Sequence, residues 1–230
     1  MNISNKLFFV MKRCGRAAFD NKMVYDGCRA LVALSGGPAS SAMLLAMQAR
    51  ISRTPISYTL VPIHVADGLR GDEDALSATL KTQCDNLGLN LELLNPCHGT
   101  PDAPIPYRHE LLAAARRLQC TTILLGHNLL DATGLLWAGM VHESAVKRLP
   151  WVEEADGVLI GRPLLTVLPE PLLDLAISEG LSAMRRPGSQ DLNPLTSLLR
   201  RYASSVPGRE LERLKNLASA PGNVKDEYLA

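Results

Sequence analysis

The segment Ser35-Gly36-Gly37-Pro38-Ala39-Ser40-Ser41 gathers the groups in this chain best suited to hold an anion. An apolar run from Leu31 to Leu34 leads into it and another, Ala42 to Leu45, follows. The glycines therefore sit where a strand gives way to a helix. Consecutive glycines let the backbone turn sharply and let its N–H groups approach a ligand with no side chain in the way. Ser40 and Ser41 fall in the first helical turn, where backbone donors have no intrahelical partner and a phosphate fits. No Lys follows Gly37 and the glycine spacing is wrong for GxxxxGK[ST], so this is not that loop. Taken alone, Ser-Gly-Gly after a strand is also an ordinary tight turn, and context has to separate the two.

Two further segments supply context. His64-Val65-Ala66-Asp67 closes the apolar run Tyr58–Val65, and Gly126-His127-Asn128-Leu129-Leu130-Asp131 closes the run that begins at Thr121. His127 and Asp131 are candidate acid–base groups. The plainer alternatives are a histidine bonded to backbone and an aspartate capping the following helix. Asp67 and Arg70 either contact a ligand or decorate an exposed loop. Adjacent basic pairs at Arg116-Arg117, Lys147-Arg148, Arg185-Arg186 and Arg200-Arg201 could meet nucleic-acid phosphates or form solvated surface. The five cysteines form no CxxC pair and read as reduced, isolated thiols. Cys97-His98 offers too few ligands for zinc, and no metal site is assigned.

The elements that must position these groups alternate. Helices are expected at 7–24, 40–50, 73–87, 108–118, 131–141 and 172–180. Strands are expected at 30–34, 58–65, 91–94, 121–126 and, last, 158–163. Gly88 and Gly180 are placed to end helices. This order predicts an α/β fold, a doubly wound and mostly parallel sheet with a C-terminal helical extension. Ser35, Asp67 and Gly126 then fall at the carboxyl ends of strands, where such sheets bind ligands. With 230 residues, 47% of them hydrophobic, a single domain is expected, with a core over about 27–186 and an extension over 187–230. No run reaches the ~18 apolar residues of a membrane helix, and the basic residues near the N-terminus follow its short apolar piece, the wrong order for a secretory signal. A cytoplasmic protein without membrane contact is expected. A net charge of +1 leaves any nucleic-acid surface to a local patch.

Leu31–Leu45 resembles the SGGxDS signature of the PP-loop ATP pyrophosphatases, and HVADGLRGD and LLGHNLLD resemble that superfamily's second and third signatures. Over roughly residues 15 to 220 the chain resembles the branch of the tRNA 2-thiocytidine synthetases and cytoplasmic tRNA 2-thiolation proteins, through the lead-in 17–37, IGRPLL at 160–165, RRPGSQ at 185–190 and the tail from Val206. The resemblance implies ATP, with Mg²⁺, at Ser35, Gly36, Gly37, Ser40, Ser41, His64, Asp67 and Gly126. It implies catalysis involving His127 and Asp131, and tRNA contact at Arg116, Arg117, Arg185 and Arg186. In the family reaction ATP adenylates a base carbonyl, pyrophosphate leaves, and sulfur then displaces AMP. The departures are specific. Ala39 stands where the motif carries Asp, Pro38 where the thiolation enzymes carry Lys, and Leu130 where the first Asp of the third signature would be. The positions aligned with the branch's iron–sulfur ligands, Thr100, Ala103, Met184 and Pro187, are not cysteine, so no cluster is expected. Three readings remain open: an active PP-loop enzyme; a nucleotide- or tRNA-binding relative with little turnover, such as the silent partner of an active thiolase or sulfur donor; and an adenylating enzyme for another substrate, lysidine-synthetase-like or metabolic. Self-association is compatible with all three.

Overall fold

The computed structural model describes residues 3–66, 72–95, 107–142 and 148–183. Its elements are α1 (Asn5–Asp20), β1 (Cys28–Leu34), α2 (Pro38–Ile51), β2 (Tyr58–Val65), α3 (Glu73–Asn86), β3 (Glu92–Leu94), α4 (Arg108–Arg117), β4 (Thr122–Leu124), α5 (Leu129–His142), β5 (Val152–Ala155), β6 (Val158–Gly161) and α6 (Pro169–Ser178). The strands form one sheet in the order β3-β2-β1-β4-β6-β5, parallel throughout except for the β5–β6 pair. This is the expected doubly wound α/β architecture.

Central β1 reads as a continuous apolar run because both of its faces are covered. Ala30, Val32 and Leu34 meet the layer of α1, α2, α3 and α6, while Leu31 turns to the other face with Leu111, Leu112 and Ala115 of α4. That alternation is the two-residue period of a strand. The spacing of Ala42, Leu45, Ala46 and Ala49 predicts that α2 buries one face. Instead every residue from Ser40 to Met47 is buried, because α1 and α6 pack on its outer side. A helix apolar around its circumference belongs in such an inner position. Truncating Leu44 there, at 0% exposure, costs about 2–5 kcal/mol. Helix α1 is tied down at its start: Ser4 Oγ accepts from the Leu7 N–H at 3.2 Å and donates to Glu179 Oε1 at 2.8 Å.

The last expected strand proves to be half of a hairpin. Asp156 and Gly157 both lie in the left-handed region, at φ +53° and +76°, as a two-residue primed turn requires. The Asp-Gly signal was present in the sequence, but Glu153 and Glu154 break the apolar pattern of the strand before it. Helix α5 starts at Leu129 rather than Asp131. Helix α6 starts at Pro169 rather than Leu172, using the fixed φ of proline in its first turn. The C-terminal extension at 187–230, with the boundary drawn there, lies outside the described residues.

Candidate nucleotide-binding site

The loops after β1 and β4, the carboxyl end of β2 and the start of α3 meet around one cleft of about 290 Å³ at the carboxyl edge of the sheet. Gly36 stands at φ +79°, and a Cβ there would lie 2.5 Å from Leu76 Cδ1. Glycine is thus required by the backbone and by α3 behind it. Gly37 differs: at φ −81° and ψ 162° it is the extended residue before α2. The Ser40 hydroxyl knits this loop together, donating to the Gly37 carbonyl at 3.1 Å and accepting from the Ser35 N–H at 3.2 Å. Ser35 Oγ lies 3.2 Å from Ser40 Oγ and accepts from the Gly37 N–H at 3.4 Å. Pro38 has no N–H, so the first-turn donors on the cleft wall are the amides of Ala39 and Ser40. Ser41 is turned about 100° further round the helix. It is 0% exposed, its carbonyl accepts from Gln83 Nε2 at 3.4 Å, and it is not on the cleft wall. Ser41, which the resemblance implies among the ATP contacts, is therefore placed in the core behind the loop rather than on the cleft wall.

Gly126 closes the gap between the first and third loops. A Cβ at Gly126 would meet Ser40 Cα and N at 3.0 Å each, so the end of β4 abuts the first turn of α2. Beyond it, Asn128 Oδ1 accepts from the Leu130 N–H and Asp131 Oδ2 accepts from the Asn128 N–H, each at 2.8 Å. This reciprocal pair is a capping box. Asn128, not Asp131, takes the cap position, and Asp131 holds the helix start from inside while still lining the cleft. Half-buried His127 lines the cleft as well. Leu130 is 4% exposed, so the position of the missing carboxylate has become core.

Near the end of β2, buried His64 places Nδ1 at 2.6 Å from the Leu34 carbonyl and Nε2 at 2.6 Å from Glu73 Oε1. A carbonyl can only accept, so Nδ1 carries a proton and Nε2 shares another with Glu73. The contact bolts β1, β2 and α3 together at the cleft wall. Asp67 lies outside the described residues. Sequence reasoning missed Glu73 and Tyr107, both on the wall. An acidic residue in the first turn of the helix after the second loop was a usable signal for Glu73. Tyr107 gave none, because its left-handed backbone at φ +58° is rare for a tyrosine.

Among the described lining residues the charged groups are carboxylates, Glu73 and Asp131, with no Lys or Arg. Helix α4 explains part of this. It runs from Tyr107 and Leu111 at the cleft toward Leu118, whose carbonyl accepts from Arg29 Nε at 2.8 Å beside the start of β1. Arg116 and Arg117 therefore sit at the opposite edge of the sheet. They pair there with Asp156 and, at 3.2 Å, with Glu92, exposed contacts worth roughly 0–1 kcal/mol each. Arg185 and Arg186 lie outside the described residues. Arg162 of IGRPLL is 1% exposed and donates to the Pro150 carbonyl and Glu153 Oε1, both at 2.9 Å, while Arg108 reaches the same oxygen at 2.7 Å. Burial pushes the Glu153 carboxyl up, but hydrogen bonds and charge from Arg108 and Arg162 outweigh it and hold the carboxyl below its usual range. Since the Leu125 N–H donates to the Gly161 carbonyl at 2.9 Å, this network stiffens the strand next to the cleft.

An iron–sulfur cluster requires thiolates. Cys14, Cys28, Cys84 and Cys120 are free and buried, and burial pushes the Cys14 and Cys84 thiols up to about 12 and raises Cys120 too. Among the described residues no group of three or more His, Cys, Asp or Glu could hold a metal ion. These thiols do not fit a cluster. No helix among the described residues is long and apolar enough to cross a membrane.

Comparison with known proteins agrees with this geometry. The chain is 25% identical to the tRNA-cytidine(32) 2-sulfurtransferase of Sorangium cellulosum, with 100% of this chain and 84% of the relative covered. It is 27% identical to that of Ralstonia nicotianae, over 96% and 75%. The fold is shared with the U34-tRNA thiolase NcsA of Methanococcus maripaludis, a structure that carries a [4Fe-4S] cluster, at TM-score 0.73 and 15% identity over 94% of this chain and 78% of the other. It is shared more loosely with the NH3-dependent NAD synthetase of Campylobacter jejuni, at TM-score 0.50 and 14% identity over 94% and 95%. The profile of the PP-loop domain matches residues 12–201, so the chain belongs to the PP-loop domain family and is related within it to the proteins of tRNA 2-thiolation.

Proposed function

We propose that this chain is a nucleotide-holding PP-loop protein that works with tRNA in the cytoplasm and has little or no adenylating turnover of its own. One observation carries the reading: the backbone half of the site is intact while its carboxylate half is not. The glycine turn, the Ser40 bonds and the amides of Ala39 and Ser40 form an anion cradle at the start of a 14-residue helix. Ala39, where the family signature carries Asp, lies on the cleft wall, and Leu130 is buried. The apolar wall of Ala33, Ile63, Val65 and Leu125 suits an adenine ring. Mg²⁺ would arrive with the ATP phosphates. Among the described lining residues the carboxylates are Glu73 and Asp131, and each already has a partner, so these two would contribute little to the octahedral shell the ion prefers.

The backbone donors would still steady a departing pyrophosphate, as fixed dipoles do for developing charge. What the described residues of the site lack is an unengaged carboxylate to help hold the metal. That combination supports binding without efficient chemistry, as in the silent partner of an active thiolase. The names of the sulfurtransferase relatives support tRNA as the macromolecular partner.

Calorimetric titration of the full chain with ATP and Mg²⁺, followed by a pyrophosphate-release assay with and without tRNA, tests this. Micromolar binding with release at the uncatalysed level is the expected result. Robust tRNA-dependent release would make the chain an active enzyme. Absence of nucleotide binding would leave a scaffold whose loop has lost its ligand.

A further inference from the structure

We infer that Ser182 is a positioning residue for the β1–α2 loop and sets the direction of the Gly37 amide; the inference rests on the nucleotide-binding reading above. Ser182 lies beyond α6, 146 positions from the loop, and is 4% exposed. Its hydroxyl donates to the Gly36 carbonyl at 2.7 Å. Its own N–H donates to Gln83 Oε1 at 3.4 Å, and Gln83 Nε2 donates to the Ser41 carbonyl at 3.4 Å. Loop, α2, α3 and the segment after α6 are thereby joined through buried polar contacts.

The peptide between Gly36 and Gly37 is trans, so its C=O and N–H point in opposite directions. With the oxygen held inward by Ser182, the N–H points the other way and donates at 3.4 Å to the hydroxyl of Ser35, which is on the cleft wall, while Gly37 itself is not. Two adjacent glycines put no side chain in the way of a flip of that peptide. A flipped peptide would turn a carbonyl oxygen, the negative end of the dipole, toward the Ser35 hydroxyl on the cleft wall and remove the N–H that the hydroxyl accepts from. The hydrogen bond from Ser182 selects the orientation that attracts an anion. Ser182 itself is not on the cleft wall and acts through Gly36.

The test compares wild type, Ser182→Ala, Ser182→Thr and Gln83→Leu in the full chain. It measures Mg-ATP affinity by calorimetry, melting temperature, and the Gly37 amide resonance of the nucleotide-free protein. Ser182→Ala should weaken ATP by about three- to tenfold, the worth of one neutral hydrogen bond, and shift the Gly37 resonance. Ser182→Thr, which keeps the hydroxyl, should restore both. Gln83→Leu, which loosens the Ser182 backbone but leaves its hydroxyl, should move both readouts the same way by less, and decides the matter if Ser182→Ala folds poorly. A lower melting temperature with unchanged affinity and an unmoved Gly37 resonance means a merely structural role and overturns the inference while the nucleotide reading stands. If wild type binds no ATP, the nucleotide reading falls and the Gly37 resonance alone decides: moved in Ser182→Ala upholds the positioning role, unmoved overturns it.

Discussion

The loop after β1 and the loop after β4 touch across the cleft, with Gly126 against the first turn of α2, yet they are built by opposite means. The β1 loop is shaped by backbone: a left-handed glycine, serine hydroxyls bonded to main chain, and amides left facing the cleft. The β4 loop is shaped by side chains, and those side chains serve its own helix, Asn128 and Asp131 capping α5 while Leu130 packs into the core. A site of this kind can lose its carboxylates one at a time without losing its form. The anion cradle depends on glycine and on amides that no substitution at Ala39 other than proline removes. Metal handling depends on single atoms at single positions.

Gly36→Val should break the comparison most severely. The side chain would force a left-handed residue against Leu76, a cost of roughly 3 kcal/mol in denaturant unfolding, with loss of ATP binding. Gly37→Ala, at an extended φ, should be far milder, and equal damage from the two would refute the assignment of the turn to Gly36.

Next in size is Glu153→Gln, which leaves the buried Arg162 guanidinium without its counter-charge. A drop of about 2 kcal/mol is expected, less than for outright removal because Gln still accepts a hydrogen bond. Because Glu153 titrates below the usual carboxylate range in the folded chain, its contribution is present above that range and lost as pH falls through the lowered value. Wild type should therefore lose stability below about pH 4, and melting curves of the variant should lack that part of the acid limb.

Ala39→Asp sharpens the contrast on the chemical side. It places a carboxylate on the cleft wall beside the intact cradle, and tRNA-dependent pyrophosphate release should rise by about tenfold or more. A variant as silent as wild type would mean that more than one carboxylate is missing. The smallest effect is assigned to Asp131→Asn: about 1 kcal/mol of stability from the weakened capping box, with ATP affinity within about twofold, less than one neutral hydrogen bond. A much larger loss of affinity would return Asp131 to the ligand's side of the cleft.

The sequence made the order of strands and helices legible, along with the three loops at one sheet edge, because apolar runs and glycine turns are local signals. β2 was read to the residue, and β1 and α3 nearly so. The β5 strand was missed because Glu153 and Glu154 break its apolar pattern, and Glu153 suits a pairing with Arg108 and Arg162 that only the folded chain creates. The site was legible in outline: Ser35, Ser40, His64, Gly126, His127 and Asp131 all reach the cleft wall. Ser41 does not, since neighbouring helical residues point 100° apart and one of two adjacent serines had to enter the core. Glu73, for which the acidic first turn of α3 was a usable signal, and Tyr107, for which there was none, are also on the wall.

Read alone, the sequence determined that this chain has a glycine turn between an apolar strand and a helix, and that the carboxylates at positions 39 and 130 are absent. Residue identity and local spacing suffice for both. Only the tertiary structure decided which polar groups still face the cleft. Asp131 is engaged by the Asn128 amide, His64 is held between Leu34 and Glu73, Arg116 and Arg117 are carried to the far edge by α4, and a serine 146 positions away holds the Gly36 carbonyl. The physical reason is that hydrogen bonds act over about 3 Å. A donor's partner is fixed by which elements pack together, and packing is a property of the whole core.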